Sequence, residues 1–175
     1  MSPFTLLSEY RIPKREVAAE VSLLGQPRNV VKLFLGDRAE NHSGPEKPSD
    51  LLNGSRPFFP AVEPPDRFVL LHRDSVTALS VEAEVEFPAE ESSGGAEAEA
   101  VAKVLVELVL QDWTKVRGTV QFLMPEGRRR LIDFLNTGDR FLIVRADGLA
   151  HLINKRRIVR VEALEAGGEE GDRWP

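Results

Sequence analysis

Asp50-Leu51-Leu52-Asn53-Gly54, followed by the apolar run from Phe58 to Val62, decides the fold because the chain carries it twice: Asp133-Phe134-Leu135-Asn136-Thr137-Gly138 is followed by Phe141 to Val144. In both stretches a phenylalanine stands five residues after the asparagine, and a second apolar run ending in a charged turn comes about ten residues later. That turn reads Leu70-Leu71-His72-Arg73-Asp74-Ser75-Val76 in the first copy and Leu152-Ile153-Asn154-Lys155-Arg156-Arg157-Ile158 in the second. Self-similarity of this kind is the signature of an internal repeat. Each motif reads as one helical turn, with Ser49 or Asp50 accepting from free N–H groups at its start and Asn53 or Gly54 closing its end in the left-handed conformation. Gly138 takes the corresponding place in the second copy.

Outward from the motifs, the spacing predicts five short strands per copy. Val17 to Leu24 and Val30 to Leu35 precede the first motif, with turn chemistry at Gly25-Gln26-Pro27-Arg28 between them. Phe58 to Val62, Arg67 to Leu71 and Val76 to Val81 follow it. The second copy repeats the order with Val104 to Leu110, Lys115 to Leu123, Phe141 to Arg145, Leu149 to Ile153 and Ile158 to Ala163. Gly118 stands inside one of these strands, where glycine marks a bend or a bulge. Five strands in so little chain favour a small, strongly bent barrel, which buries the apolar face and removes most free edges. The expected architecture is mainly β, a tandem duplication of a small five-stranded Sm-like or SH3-like barrel with one helical turn per copy.

The chain divides accordingly into a leader (1–15), a first repeat (16–82), an acidic flexible linker (83–100), a second repeat (101–164) and a disordered acidic tail (165–175). Repeats of about 65 to 75 residues lie near the lower limit for a lone core, so the two should pack on one another or on a partner. The linker reading rests on Glu91-Ser92-Ser93-Gly94-Gly95-Ala96 and on a run of glutamates without a single Lys or Arg, which cannot recover the entropy of ordering.

A hydrophobic content of 42% and a charged content of 29% are those of a soluble globular protein. No apolar run reaches the length of about 18 residues a membrane helix needs, and the N-terminus lacks the pattern of a signal peptide. Without cysteine, disulfides and thiolate zinc sites are excluded. A cytoplasmic location is the expectation. The net charge of -5 conceals segregation, because the second repeat is basic between acidic flanks.

The pattern Asp-x-Leu-Asn, five residues to Phe, an apolar run, then His or Asn with Lys or Arg and a closing Val or Ile, resembles an uncharacterised bacterial domain of unknown function, over residues 17–82 and 102–163. The order of elements, and Leu152-Ile153-Asn154-Lys155-Arg156-Arg157-Ile158 above all, is also similar to the second signature of Sm-like proteins, including the bacterial RNA chaperone of that family. That similarity implies a small barrel and admits RNA as a ligand.

Candidate chemistry is sparse. Asp50 and Asp133 recur in equivalent places and would suit paired-carboxylate hydrolysis if the repeat brought them face to face, commonly about 5 to 10 Å apart. Helix capping accounts for them, and for Asn53 and Asn136, without any reaction. His42, His72 and His151 lack the spacing of metal ligands on one helix face, and no nucleophile elbow or phosphate loop is present. No catalytic residue, metal or cofactor is expected. The remaining candidates are cations at element edges, Arg128-Arg129-Arg130 and Lys155-Arg156-Arg157, with Trp113 in a neighbouring turn to stack or to anchor. In the first copy Arg73 reads as isolated, and Asp74 stands where the second copy has Arg156. The expected function is that of a non-catalytic interaction or scaffold protein contacting a protein partner through this basic edge. RNA binding is the alternative, a hydrolase using Asp50 and Asp133 the distant third, and self-association is compatible with all three.

Overall fold

The structure, a computed structural model, describes residues 14–88, 101–122 and 130–164. The described residues are mainly β, forming ten antiparallel strands and three short helices. The first half contributes β1 (Lys14–Leu23), β2 (Asn29–Gly36), α1 (Pro48–Asn53), β3 (Phe58–Glu63), β4 (Arg67–His72), β5 (Val76–Glu82) and the short helix α2 (Ala83–Glu86). The second contributes β6 (Ala102–Leu110), β7 (Lys115–Phe122), α3 (Leu131–Asn136), β8 (Phe141–Ala146), β9 (Leu149–Asn154) and β10 (Ile158–Leu164). Among the described residues no helix is long and apolar enough to cross a membrane.

The strands lie in one open sheet in the order β10-β6-β7-β8-β9-β5-β1-β2-β3-β4. Each half thus places its last strand beside its first, followed by the second, third and fourth. The expected closure of each half into its own barrel is replaced by continuity: β5 already pairs with β1 on one side, and its other edge pairs with β9 from Ala78↔Ile153 to Glu82↔Leu149. A strand has two hydrogen-bonding edges, and both edges of β5 are used. The register of the fifth strand on the first shifts in both halves, between Ser22 and Leu23 and between Ile158 and Arg160. Such irregularities bend a strand sharply.

Two cores result. One gathers Val17, Val21, Leu33, Leu35, Leu52, Phe59 and Leu79 from the first half and takes in Phe141, Ala150 and Leu152 from the second. The other is built from Val106, Leu108, Leu110, Val120, Phe122, Leu142, Val144 and Ile153. Period-two alternation sends Ile153 to the second core and Leu152 to the first, so β9 is apolar on both faces.

Gly118 stands where the backbone of β8 crosses close to β7. A Cβ there would lie 2.6 Å from the Arg145 carbonyl and 2.7 Å from Val144 Cγ1. The expected bend is therefore a close approach that only glycine permits.

The acidic stretch expected to be linker from residue 83 begins as ordered structure. The α2 turn buries Glu86, whose Oε2 accepts from the Ser49 N–H at 3.0 Å, and Phe87 lies under the Arg145 guanidinium at 3.9 Å. The free N–H groups at the start of α1 supply the partner a glutamate needs to be buried, which composition alone does not reveal. Ser92 to Ala96, the leader to residue 13 and the tail from residue 165 lie outside the described residues.

Candidate functional site

The two Asp-x-Leu-Asn helices occupy corresponding positions; Asp50 accepts at the start of its helix as expected, whereas Asn53 and Gly54 do not form the expected left-handed cap at its end. Asp50 lies inside α1 and reaches back to accept from the Lys47 N–H at 2.9 Å, from His42 Nε2 at 2.8 Å and from Asn41 Nδ2 at 3.1 Å. Burial alone would raise its pKa, but these donors outweigh it and hold the carboxyl below its usual range. Asp133 holds the matching place in α3, where the Thr137 hydroxyl donates to its carbonyl at 2.8 Å. Gly54 closes α1 in an extended conformation, φ -62 and ψ 177, so the left-handed cap expected there is absent. Gly138, two residues past the end of α3, does take φ +72. Asn53 does not close its own helix either. Its Oδ1 accepts from the Phe141 N–H at 2.9 Å, in the other half of the chain.

The charged turns also correspond more closely than their sequences suggest. His72 Nδ1 accepts from the Asp74 N–H at 3.1 Å, and Asn154 Oδ1 accepts from the Arg156 N–H at 3.1 Å. Arg73, read from sequence as isolated, donates to the carbonyls of Leu51 and Gly54 at the end of α1. Lys155 donates to those of Phe134 and Thr137 at the end of α3, at 3.4 and 2.8 Å. Each cation satisfies orphan carbonyls at the negative end of its helix. Burial lowers the pKa of Lys155, and Asp139 works against that shift. Arg157 is engaged as well, donating to the Asp74 carbonyl at 2.8 Å and to Gln111 at 3.3 Å.

Among the described residues of the expected basic edge, Arg156 and Arg130 are the exposed cations. Arg156 is exposed, and no bond ties its guanidinium to another described residue. Its carbonyl accepts from Gln111 Nε2 at 3.5 Å, which seats the turn Gln111 to Thr114 beside it. That turn holds Trp113 at φ 67 with 79% of its surface exposed. Arg130 is exposed at the start of α3, while Arg128 and Arg129 lie outside the described residues.

A polar cleft of about 290 Å³ lies beside α1, lined among others by Glu46, Asp50, Asn53, Arg73 and Asp139. Asp133 is not in its lining, so the two recurring acids do not share it. Asp50 is held by the Lys47 N–H and the side chains of His42 and Asn41, and Arg73 by the carbonyls of Leu51 and Gly54. The histidines serve local bonds: His42 holds Asp50, His72 its own turn, and His151 Nδ1 lies 2.8 Å from Ser80 Oγ. No group of three metal-ligating side chains occurs among the described residues.

The residues that sequence reading missed are those of the junction between β5 and β9. Asn154 is fully buried, and its Nδ2 donates to the Val76 carbonyl at 2.9 Å. Arg140 pairs with Asp74 across the same seam. No protein-family model, curated protein or solved structure matches this chain.

Proposed function

We propose that residues 14–82 and 102–164 are two copies of one five-stranded module and that the protein is a non-catalytic interaction scaffold. Support for the duplication comes from the shared strand order and from bonds that recur at matching places. Arg73 N–H donates to the Pro57 carbonyl at 2.8 Å and Lys155 N–H to that of Arg140 at 3.0 Å; Leu24 N–H donates to the Ser75 carbonyl at 2.8 Å and Gln111 N–H to that of Arg157 at 2.9 Å.

In this reading the second copy carries the contact, at Trp113 and Arg156. The observation behind it is the exposed indole, held out on a left-handed turn next to Arg156, whose guanidinium is bonded to no other described residue. Such a conformation costs a non-glycine residue free energy, and tryptophan and arginine are the side chains that dominate protein contacts. The partner is an acidic protein surface with a pocket for the indole. Trp113 is the one exposed aromatic among the described residues of the second copy, fewer than the stacking platform a single-stranded RNA requires.

Affinity purification of the full chain from its native cell, with and without nuclease, tests this. The expected partner survives nuclease and is lost from Trp113→Ala and Arg156→Glu chains. Release by nuclease would favour RNA instead, and full retention by both variants would overturn the assignment.

A further inference from the structure

The seam between β5 and β9 has an unpaired counterpart at the two ends of the sheet. Among the described residues β4 and β10 are the edge strands. By position in their halves, β4 corresponds to β9 and β10 to β5. The fourth strand of one half therefore meets the fifth strand of the other once within the chain, and the remaining fourth and fifth strands end the sheet.

Burial follows this arrangement. Phe141, Ala150 and Leu152 are 3%, 0% and 0% exposed at the seam, whereas Phe58, Phe68 and Leu70 in the corresponding positions are 53%, 57% and 62% exposed. The side chains left in water are as large as, or larger than, those buried at the seam. Apolar groups of this size, gathered on one unpaired strand and its neighbour, mark a contact surface.

The receiving side is matched. The first core takes in Phe141, Ala150 and Leu152 from outside its own half. The second core receives only the small Ala78 from the first half, and Leu131, Phe134, Leu135, Ile158 and Val161 around it remain only partly buried. Leu52 of α1 is fully buried under the incoming strands, and α3 buries none of its residues.

The polar groups are duplicated too. Asn53 accepts from the Phe141 N–H at the seam, and Asn136 ends α3 exposed. Asn154 donates to the Val76 carbonyl at the seam. His72 uses Nδ1 as an acceptor for Asp74, which leaves Nε2 as the donor in the same position.

We propose that β4 of one molecule pairs antiparallel with β10 of a second copy of this chain, repeating the internal seam between molecules. Val81↔Ala150 and Leu79↔Leu152 pair within the chain. Carried over, Ala163 of the second copy faces Phe68 and Val161 faces Leu70, a small residue opposite a large one where the seam sets Val81 against Ala150. Asn136 accepts from the Phe58 N–H, His72 donates to the Ile158 carbonyl, and Phe58, Phe68 and Leu70 complete the second core. The contact joins unlike surfaces, so it propagates head to tail and ends when the molecules close into a ring. It involves neither Trp113 nor the guanidinium of Arg156, and it stands apart from the partner contact proposed above.

Native mass spectrometry and light scattering of the full chain test it. The wild type is expected as one species of three or more chains, each of 19.5 kDa. Leu70→Glu removes the β4 surface and Ala163→Glu the β10 surface. Both positions are exposed, so each variant should keep its circular dichroism and run as a monomer. Mixed in equal amounts, the two should form a pair of about twice 19.5 kDa, because one retains β10 and the other β4. Asn136→Ala, a milder change, should weaken assembly roughly tenfold by loss of one hydrogen bond. A wild-type chain that stays monomeric at a concentration on the order of 100 μM, where even a weak specific interface is occupied, overturns the proposal. So do assembled single variants, or a mixture that remains monomeric.

Discussion

β9 and β4 hold the same place in their halves and begin from similar sequences, yet one is sealed on both faces and the other is half in water. At β9 the side chains of Ala150 and Leu152 complete a core they do not belong to by sequence, and Asn154 and Asn53 tie the backbone across the seam. At β4 the equivalent Phe68 and Leu70 reach solvent. The difference lies in what each strand meets, since the sequence is, if anything, more apolar at β4. A strand's energetic weight is therefore set by its neighbour and not by its own composition.

Substitutions at matched positions should break this symmetry unequally in the monomer. Leu152→Ala empties a fully buried site and should cost about 2–5 kcal/mol, while Leu70→Ala should stay within about 0.5 kcal/mol in dilute solution. Urea unfolding below the assembly concentration measures both, and equal effects would refute the comparison. Gly118→Ala probes the close crossing of β7 and β8. The added Cβ meets backbone, which cannot yield as a side-chain end does, so a loss of about 1–3 kcal/mol is expected. Asn53→Ala leaves the Phe141 N–H without its acceptor, at about 1–3 kcal/mol. Asn136→Ala in the monomer should change stability by only a few tenths of that.

The smallest effect concerns pH. Burial lifts the Glu86 carboxyl above its usual range, bonds from Ser49 and the charge of Lys47 oppose the rise, and Asp50 adds to it. A raised folded-state pKa means that the stabilisation is complete below the ordinary glutamate value and is lost as pH rises through the folded value. Glu86→Gln keeps an acceptor for the Ser49 N–H and removes the buried charge. At neutral pH it should therefore raise Tm by about 2–4 °C, the shift roughly 1 kcal/mol produces in a chain of this size. Below the ordinary glutamate range that gain should vanish, and a gain constant with pH would rule out this origin.

Much of the local structure was legible in the residues. The spacing from Asn53 to Phe58 and from Asn136 to Phe141 located both helices and the strands after them, because capping and alternation act over a few residues. Gly118 stood out, although what it marks is the close approach of β8. What escaped was non-local. Asn53 looked like a helix terminator because its acceptor role is played toward Phe141, 88 residues away. Arg73 looked isolated because its equivalence to Lys155 is defined by carbonyls at a helix end, not by neighbouring cations. The open sheet itself could not be read, since a strand pattern reports which face is apolar and is silent about which edge is paired. Glu86 was hidden for a similar reason: its acidic surroundings read as linker, and only the N–H groups of α1 explain its burial.

The most direct test of the comparison is amide hydrogen exchange of the wild-type chain across a range of concentrations. Amides of β5 and β9 should be protected at every concentration, because their partner lies in the same molecule. The outward-facing amides of β4 and β10, which β3 and β6 do not bond, should exchange rapidly when dilute and become protected together as concentration rises. Protection of β4 and β10 that does not change with concentration, or a seam that exchanges as fast as these edges, would contradict the account.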